Sequence, residues 1–332
     1  MKLATLNDGT RDGQLAVVAR DLKTAHVADG IAPTLQAALD DWGFIAPQLD
    51  ALYQLLNQGR GQRSFEFDVA NCMAPLPRAF QWVSAAAYPL RLELACKARG
   101  AAPPESLRGE ALMQQGGADA FLGPRQDIAL AYEQWGVDFG AGLAAITDDV
   151  PMGATADQAH QHIKLLALVN EVVLRNLADD ELARGGGLLQ ARPAAGFAPV
   201  ALTPDELGDA WKGGKAHLPL RTHWNGKLVG QPHAGVDMVF NFPQLIAHLC
   251  RTRNVRAGSI VGSGVVANKD ARRGYGCIAD KRNLELAADG VAATPFMLFG
   301  DSVKIEMLGE DGKSLFGAIE QTLKQIEARR AR

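Results

Sequence analysis

The run Val137-Asp138-Phe139-Gly140-Ala141-Gly142-Leu143 constrains the fold more than any other stretch of the chain. It leads through Ile146 into Thr147-Asp148-Asp149-Val150-Pro151. Its apolar positions fit a buried or half-buried strand, and side chains two apart on a strand point the same way. Gly140 and Gly142 then share one face, and that face is bare at both places. A bare strand face either leaves room for a ligand or marks a bulge or a close approach by another backbone.

The rest of the chain reads as α+β, mostly β. Leu3–Leu6 and Leu15–Val18 form strands around the turn Asn7–Gly13. Thr34 is placed to cap a helix starting at Leu35, and a second helix is expected over Ile45–Leu56. Pro75-Leu76-Pro77 marks a boundary, giving a small N-terminal α/β domain over 1–74 and a larger domain over 75–332. The larger part is rich in strands and glycine. Val229–Pro232 reads as a turn and Phe242–Cys250 as a short amphipathic helix. Gly258–Val266 mixes glycine with branched apolar residues, but lacks the G-x-G-x-x-G form of a dinucleotide site.

Composition excludes several classes of function. The chain has 332 residues, 47% hydrophobic, with a net charge of −3 and no basic stripe, so nucleic acid is not an expected partner. The basic end Ala328–Arg332 reads as a solvated helix terminus. No apolar run reaches the ~18 residues of a membrane span, and the first residues do not form a signal peptide. The expected location is cytoplasmic. Cys72, Cys96, Cys250 and Cys277 show no metal spacing and are expected to be reduced thiols. His160-x-His162 reads as a surface pair rather than a zinc site, and no G-x-S-x-G elbow is present.

An ordered series of segments is similar to the fumarylacetoacetate hydrolase family, bacterial type. It includes Lys2-Leu3-Ala4-Thr5, Pro75-Leu76-Pro77-Arg78-Ala79, Phe121-Leu122-Gly123-Pro124-Arg125, Gly235-Val236-Asp237-Met238, Gly262-Ser263-Gly264 and Phe299-Gly300-Asp301. The resemblance covers nearly the whole chain. It implies a mixed β-roll C-terminal domain behind a small N-terminal domain, usually as a homodimer. It also implies hydrolysis or rearrangement of acylpyruvate-like diketo acids with magnesium or calcium, in the catabolism of aromatic amino acids and other aromatic compounds.

The site residues the resemblance implies are mostly replaced. The family's four metal-binding carboxylates, Asp, Glu, Glu and Asp, correspond to Ser84, Gly140, Gly142 and Glu171. Its catalytic histidine corresponds to Arg91, and the glutamate paired with that histidine to Asp280. Tyr88 and Arg175 match the family pattern. Arg192 stands for a lysine and Val265 for a threonine.

Hard cations need several oxygen ligands, so one carboxylate is expected to hold no metal. Arginine is always protonated, so Arg91 is not a general base. Arg91, Arg175 and Arg192 outnumber Glu171 and Asp280, a balance that favours an anion held without metal. Beside this stand plainer readings. Arg91 fits a solvated side chain, and Glu171 and Arg175, four apart in a strand-like run, fit a local ion pair. Asp138 is present in the family beside the ligands and is not itself expected to be one.

Three functions remain open. One is a family member without metal-dependent hydrolysis that binds a small carboxylate or diketo acid, or pairs with an active paralogue. Another is an active carbon–carbon bond hydrolase of fumarylacetoacetate or a related acylpyruvate. The third is metal-free tautomerisation of a keto acid. On the vacated-cage reading, restoring Ser84→Asp, Gly140→Glu and Gly142→Glu is expected to raise metal affinity.

Overall fold

The computed structural model describes residues 1–98, 100–185 and 187–326, without the side chains of Arg91 and Ala98. The Ala328–Arg332 terminus lies outside the described residues. An eleven-stranded sheet runs through the molecule. Its order is Phe65–Glu66, Thr24–Val27, Gln14–Val18, Lys2–Leu6, Val200–Leu202, Ile163–Asn170, Ala141–Thr147, Ile260–Val265, Trp82–Ala85 and Met113–Gly116, with Gly196–Phe197 added beside Ile163–Asn170. All neighbours are antiparallel except Ile260–Val265 and Trp82–Ala85. A second, five-stranded sheet holds Lys227–Gly230, Leu220–Trp224, Ser302–Met307, Ile319–Gln325 and Ile128–Leu130. Neither sheet closes on itself. Val229–Pro232, expected as a turn, instead ends the strand Lys227–Gly230.

The central strands are apolar on both faces because both faces are covered. Ala144, Ile146, Leu165, Ala167 and Val169 pack with Leu35, Leu39, Leu49 and Tyr53 of the N-terminal helices. The alternate residues Leu143, Ala145, Leu166 and Leu168 pack with Leu220, Val303, Ile305 and Leu323 of the smaller sheet. The period of two in the sequence therefore sorts side chains between two cores rather than between core and water.

Local rules account for the N-terminal elements. The Thr34 side chain accepts from Ala37 N at 3.1 Å and starts the helix Leu35–Asp40. The next helix, Trp42–Asn57, buries Ile45, Leu49, Tyr53 and Leu56, a stripe at helical spacing. The main sheet crosses the region of Pro75-Leu76-Pro77 without a break. Lys2, Leu3 and Ala4 pair with Leu202, Ala201 and Val200.

The Val137–Leu143 run is not one strand. Val137–Asp138 pairs with Val173–Leu174, while Ala141–Thr147 pairs with Ile163–Asn170. Both partners break at the same level, and the break is held closed by Glu171 N donating to Gly140 O at 2.7 Å. The Gly140 N–H, freed from the ladder, donates to Asn170 Oδ1 at 3.0 Å. Asn170 Nδ2 in turn reaches Gln321 Oε1 of the second sheet at 2.9 Å.

Candidate functional site: a buried carboxylate at a strand break

The break lets the Glu171 side chain turn toward the strand Trp82–Ala85. There the sheet register sets Gly262 on one side of Ser84 and Gln114 on the other. Ser84 Oγ donates to Glu171 Oε2 at 2.5 Å, and Arg192 Nη2 donates to the same oxygen at 3.0 Å. Arg192 Nη1 donates to Gln114 Oε1 at 3.3 Å. Ser84, Glu171 and Arg192 are all buried. Glu171 Oε1, also buried, has no hydrogen-bond partner among the described residues. The carboxylate thus has its charge matched by one guanidinium, in a charge-assisted contact.

Gly140 and Gly142 are walled in by backbone. A Cβ at Gly140 would stand 2.6 Å from Glu171 O, and one at Gly142 would stand 2.7 Å from Gly264 O. Neither place has room for a side chain of any length, so the expected gain in metal affinity from Gly140→Glu and Gly142→Glu does not follow. Gly264 adopts φ +77°, and a Cβ there would stand 2.0 Å from Ala85 O, so only glycine fits.

The arginines divide their roles. Glu171 and Arg175 do not pair as a strand-face couple, because the strand ends at Leu174 and Arg175 opens the helix Arg175–Ala183. Arg175 Nε donates instead to Asp138 Oδ2 at 2.9 Å. Asp138, fully buried, also accepts from Ile278 N at 2.7 Å and Ala279 N at 3.2 Å, capping the helix Ile278–Asp289 from another strand. Asp280 is buried in the first turn of that helix. Arg91 belongs to the helix Leu90–Ala98, and its side chain lies outside the described residues. The buried Tyr88 hydroxyl donates to Ala234 O at 2.5 Å, and burial pushes its pKa well above the ordinary tyrosine range.

These residues border a cavity of about 350 Å³. Ser84, Tyr88, Glu171, Arg175, Arg192 and Val265 all line it. Sequence reasoning missed Gln114, which carries no motif and is brought in only by the Ser84–Gln114 register. It also assigned Asp138 no part, whereas Asp138 fixes Arg175. Asp138 therefore adds a third carboxylate to the balance drawn above, and the expected excess of positive charge shrinks.

The donors present do not fit a divalent cation. Among the described residues, no three His, Cys, Asp or Glu side chains gather in a metal-holding group. The one carboxylate at the four cage positions already meets a guanidinium, and the Ser84 hydroxyl is neutral and donates to it. His162, outside this region, meets Asp148 Oδ1 at 2.6 Å. Three of the four cysteines, Cys72, Cys250 and Cys277, are buried, and burial pushes the Cys72 thiol up to about 12.

The fold and site define a two-part protein of mixed sheet architecture with a cavity beside a strand break. Residues 1–78 match the fumarylacetoacetase N-terminal domain 2 family, and residues 82–324 match the fumarylacetoacetate hydrolase C-terminal family. The chain therefore belongs to the fumarylacetoacetate hydrolase family. Maleylpyruvate hydrolase from Sphingobium sp. SYK-6 is similar at 15% identity, covering 98% of this chain and 100% of that one, with a TM-score of 0.64. Fumarylacetoacetate hydrolase from Exiguobacterium antarcticum is similar at 17% identity, over 98% and 100% of the two chains, with a TM-score of 0.64. The 5-carboxymethyl-2-hydroxymuconate delta-isomerase of Mycobacterium smegmatis is similar at 16% identity, over 99% and 100%, with a TM-score of 0.61. No match was found among curated protein sequences. No helix of the described residues is long and apolar enough to cross a membrane.

Proposed function

We propose that this chain is a family member that does not carry out metal-dependent hydrolysis and that its cavity binds a small carboxylate. The observation that carries the reading is the state of Glu171. Its Oε2 accepts from both Ser84 and Arg192, while backbone fills the places where the family's two glutamates would stand. Arg192 brings a buried guanidinium to the cavity wall, where it donates to Glu171 and Gln114, and a guanidinium pairs with carboxylates through its planar fork of donors. Arg175 serves mainly to hold Asp138 and the helix behind it.

The second reading is an active hydrolase of fumarylacetoacetate or a related acylpyruvate in aromatic catabolism. Family membership favours it, and so does the maleylpyruvate hydrolase of Sphingobium, whose structure is also known with manganese(II) and pyruvate. Release of pyruvate from acetopyruvate with magnesium or calcium separates the two. No release above the uncatalysed rate, together with substoichiometric metal in protein purified without chelator, supports our reading. Turnover that requires added metal overturns it. The same reading places the protein in the cytoplasm as a homodimer, with an active paralogue as the other partner to test. Light scattering then gives roughly twice the 35.4 kDa chain mass.

A further inference from the structure

The tip of the second sheet carries an asparagine that the neighbouring chain guards. Asn225-Gly226 is the only Asn-Gly step in the sequence, and it forms the whole loop between the strands Leu220–Trp224 and Lys227–Gly230. Both residues have positive φ, +50° and +75°, as a two-residue hairpin turn matched to the twist of its strands requires. Both are exposed, and a Cβ at Gly226 would meet nothing within 4 Å. An asparagine followed by glycine is chemically fragile, because no side chain shields the glycine nitrogen from the amide carbon one residue before it.

Here the amide is clasped on both sides. Asn225 Nδ2 donates to Asp301 Oδ1 at 2.7 Å, and Asn225 Oδ1 accepts from Ser302 N at 2.8 Å. The backbone N–H of Asn225 donates to Ser302 O at 2.9 Å. Asp301 is held in turn, since its Oδ2 accepts from Trp224 Nε1 at 3.1 Å and from Leu298 N at 3.0 Å. The Trp224 ring lies edge-on to Phe139, with centroids 6.2 Å apart, and Phe139 precedes Gly140 of the strand break. The clasp therefore ties the hairpin tip to the strand break.

We infer that Asn225 is a deamidation site that the Asp301 clasp keeps closed, and that the reaction, once it occurs, stops the clasp from re-forming. In the reaction the Gly226 nitrogen attacks Asn225 Cγ and gives up its proton to solvent. The bond from Cγ to Nδ2 breaks, and Nδ2 takes up a proton and leaves as ammonia. Water then opens the five-membered imide, which leaves aspartate or isoaspartate at 225. While Nδ2 is bonded to Asp301 and Oδ1 to Ser302, the side chain cannot turn its Cγ onto the Gly226 nitrogen. The aspartate product has a carboxylate oxygen where Nδ2 stood, 2.7 Å from Asp301 Oδ1, so a donor is lost and two like charges meet. Modification is thus confined to chains whose hairpin has opened, and it marks them permanently.

The test incubates the full chain at mildly alkaline pH and follows residue 225 by peptide mass spectrometry, beside a synthetic peptide spanning Arg221–Val229. The folded chain should lose the amide at least about tenfold more slowly than the peptide, because two hydrogen bonds, one of them to a charge, must break first. Asn225→Asp, which mimics the product, should lower the thermal midpoint by roughly 2–6 °C. Combining Asn225→Asp with Asp301→Asn reverses donor and acceptor across the clasp and should recover most of that loss, which a change in turn propensity alone would not do. The rate comparison needs no variant, so it stands even where a substitution prevents folding. A folded chain that deamidates as fast as the peptide, Asn225→Asp as stable as the unmodified chain, or a double variant no better than the single would each overturn the inference.

Discussion

At the scale of single residues, what the site can hold is decided by two glycines and one arginine. Gly142→Ala puts a methyl 2.7 Å from a main-chain oxygen that cannot rotate away. We expect it to cost about 1–3 kcal/mol, read as a lower urea midpoint with unchanged slope. An unchanged midpoint would mean that the Gly264 turn relaxes freely. Arg192→Met strands the buried Glu171 charge and is expected to cost roughly 3–5 kcal/mol. Adding Glu171→Gln should recover a good part of that loss, and a double variant as unstable as the single would show that Arg192 acts through packing instead. Ser84, Glu171 and Arg192 were legible in the sequence because each aligns with a family position. Gln114 was not, since its part depends on a strand register thirty residues away. Asp138 was visible and set aside as a metal ligand, but its tie to Arg175 and Ile278 was not legible, because these partners come from other elements of the chain.

At the scale of elements, local signals were the readable ones. The Thr34 cap and the stripe Ile45, Leu49, Tyr53, Leu56 follow from short-range rules. The break after Asp138 does not, because it exists only as a pair with the break after Asn170. The helix Ile278–Asp289 offers a test of another local device. Glu285 accepts from Thr294 Oγ1 at 2.5 Å, Thr294 N at 2.9 Å and Ala293 N at 2.8 Å, tying the following loop to the helix. These bonds, the Thr294 hydroxyl first, hold its carboxyl down at about 2 against an ordinary 4.5. A folded-state value below the unfolded one stabilises above about pH 4.5, and the benefit is lost as pH falls toward 2. Unfolding of the unmodified chain and of Glu285→Gln, compared from pH 5.5 downward, should therefore converge. A gap that stays constant would show that the carboxylate charge is not what holds the loop.

At the scale of the whole molecule, the two family regions share one sheet, because the strand Lys2–Leu6 pairs with Val200–Leu202, a pairing that no short-range signal announces. Removing residues 1–78 would expose the edge of Val200–Leu202 and the helix-facing side of the central strands. A fragment starting at residue 79 is expected to aggregate or to lose cooperative thermal unfolding, and a soluble fragment with a sharp transition would contradict this. The pairing of Lys2 with Leu202 also has a consequence during synthesis. The first strand leaves the ribosome with its Gln14–Val18 neighbour, but its other partner is about two hundred residues behind. At roughly 5–20 residues per second the nascent chain waits about 10–40 s with that edge open. Over that interval the beginning of the protein is expected to be a client of ribosome-associated chaperones, and stalled chains of about 160 residues should be cut by protease where the finished chain is not.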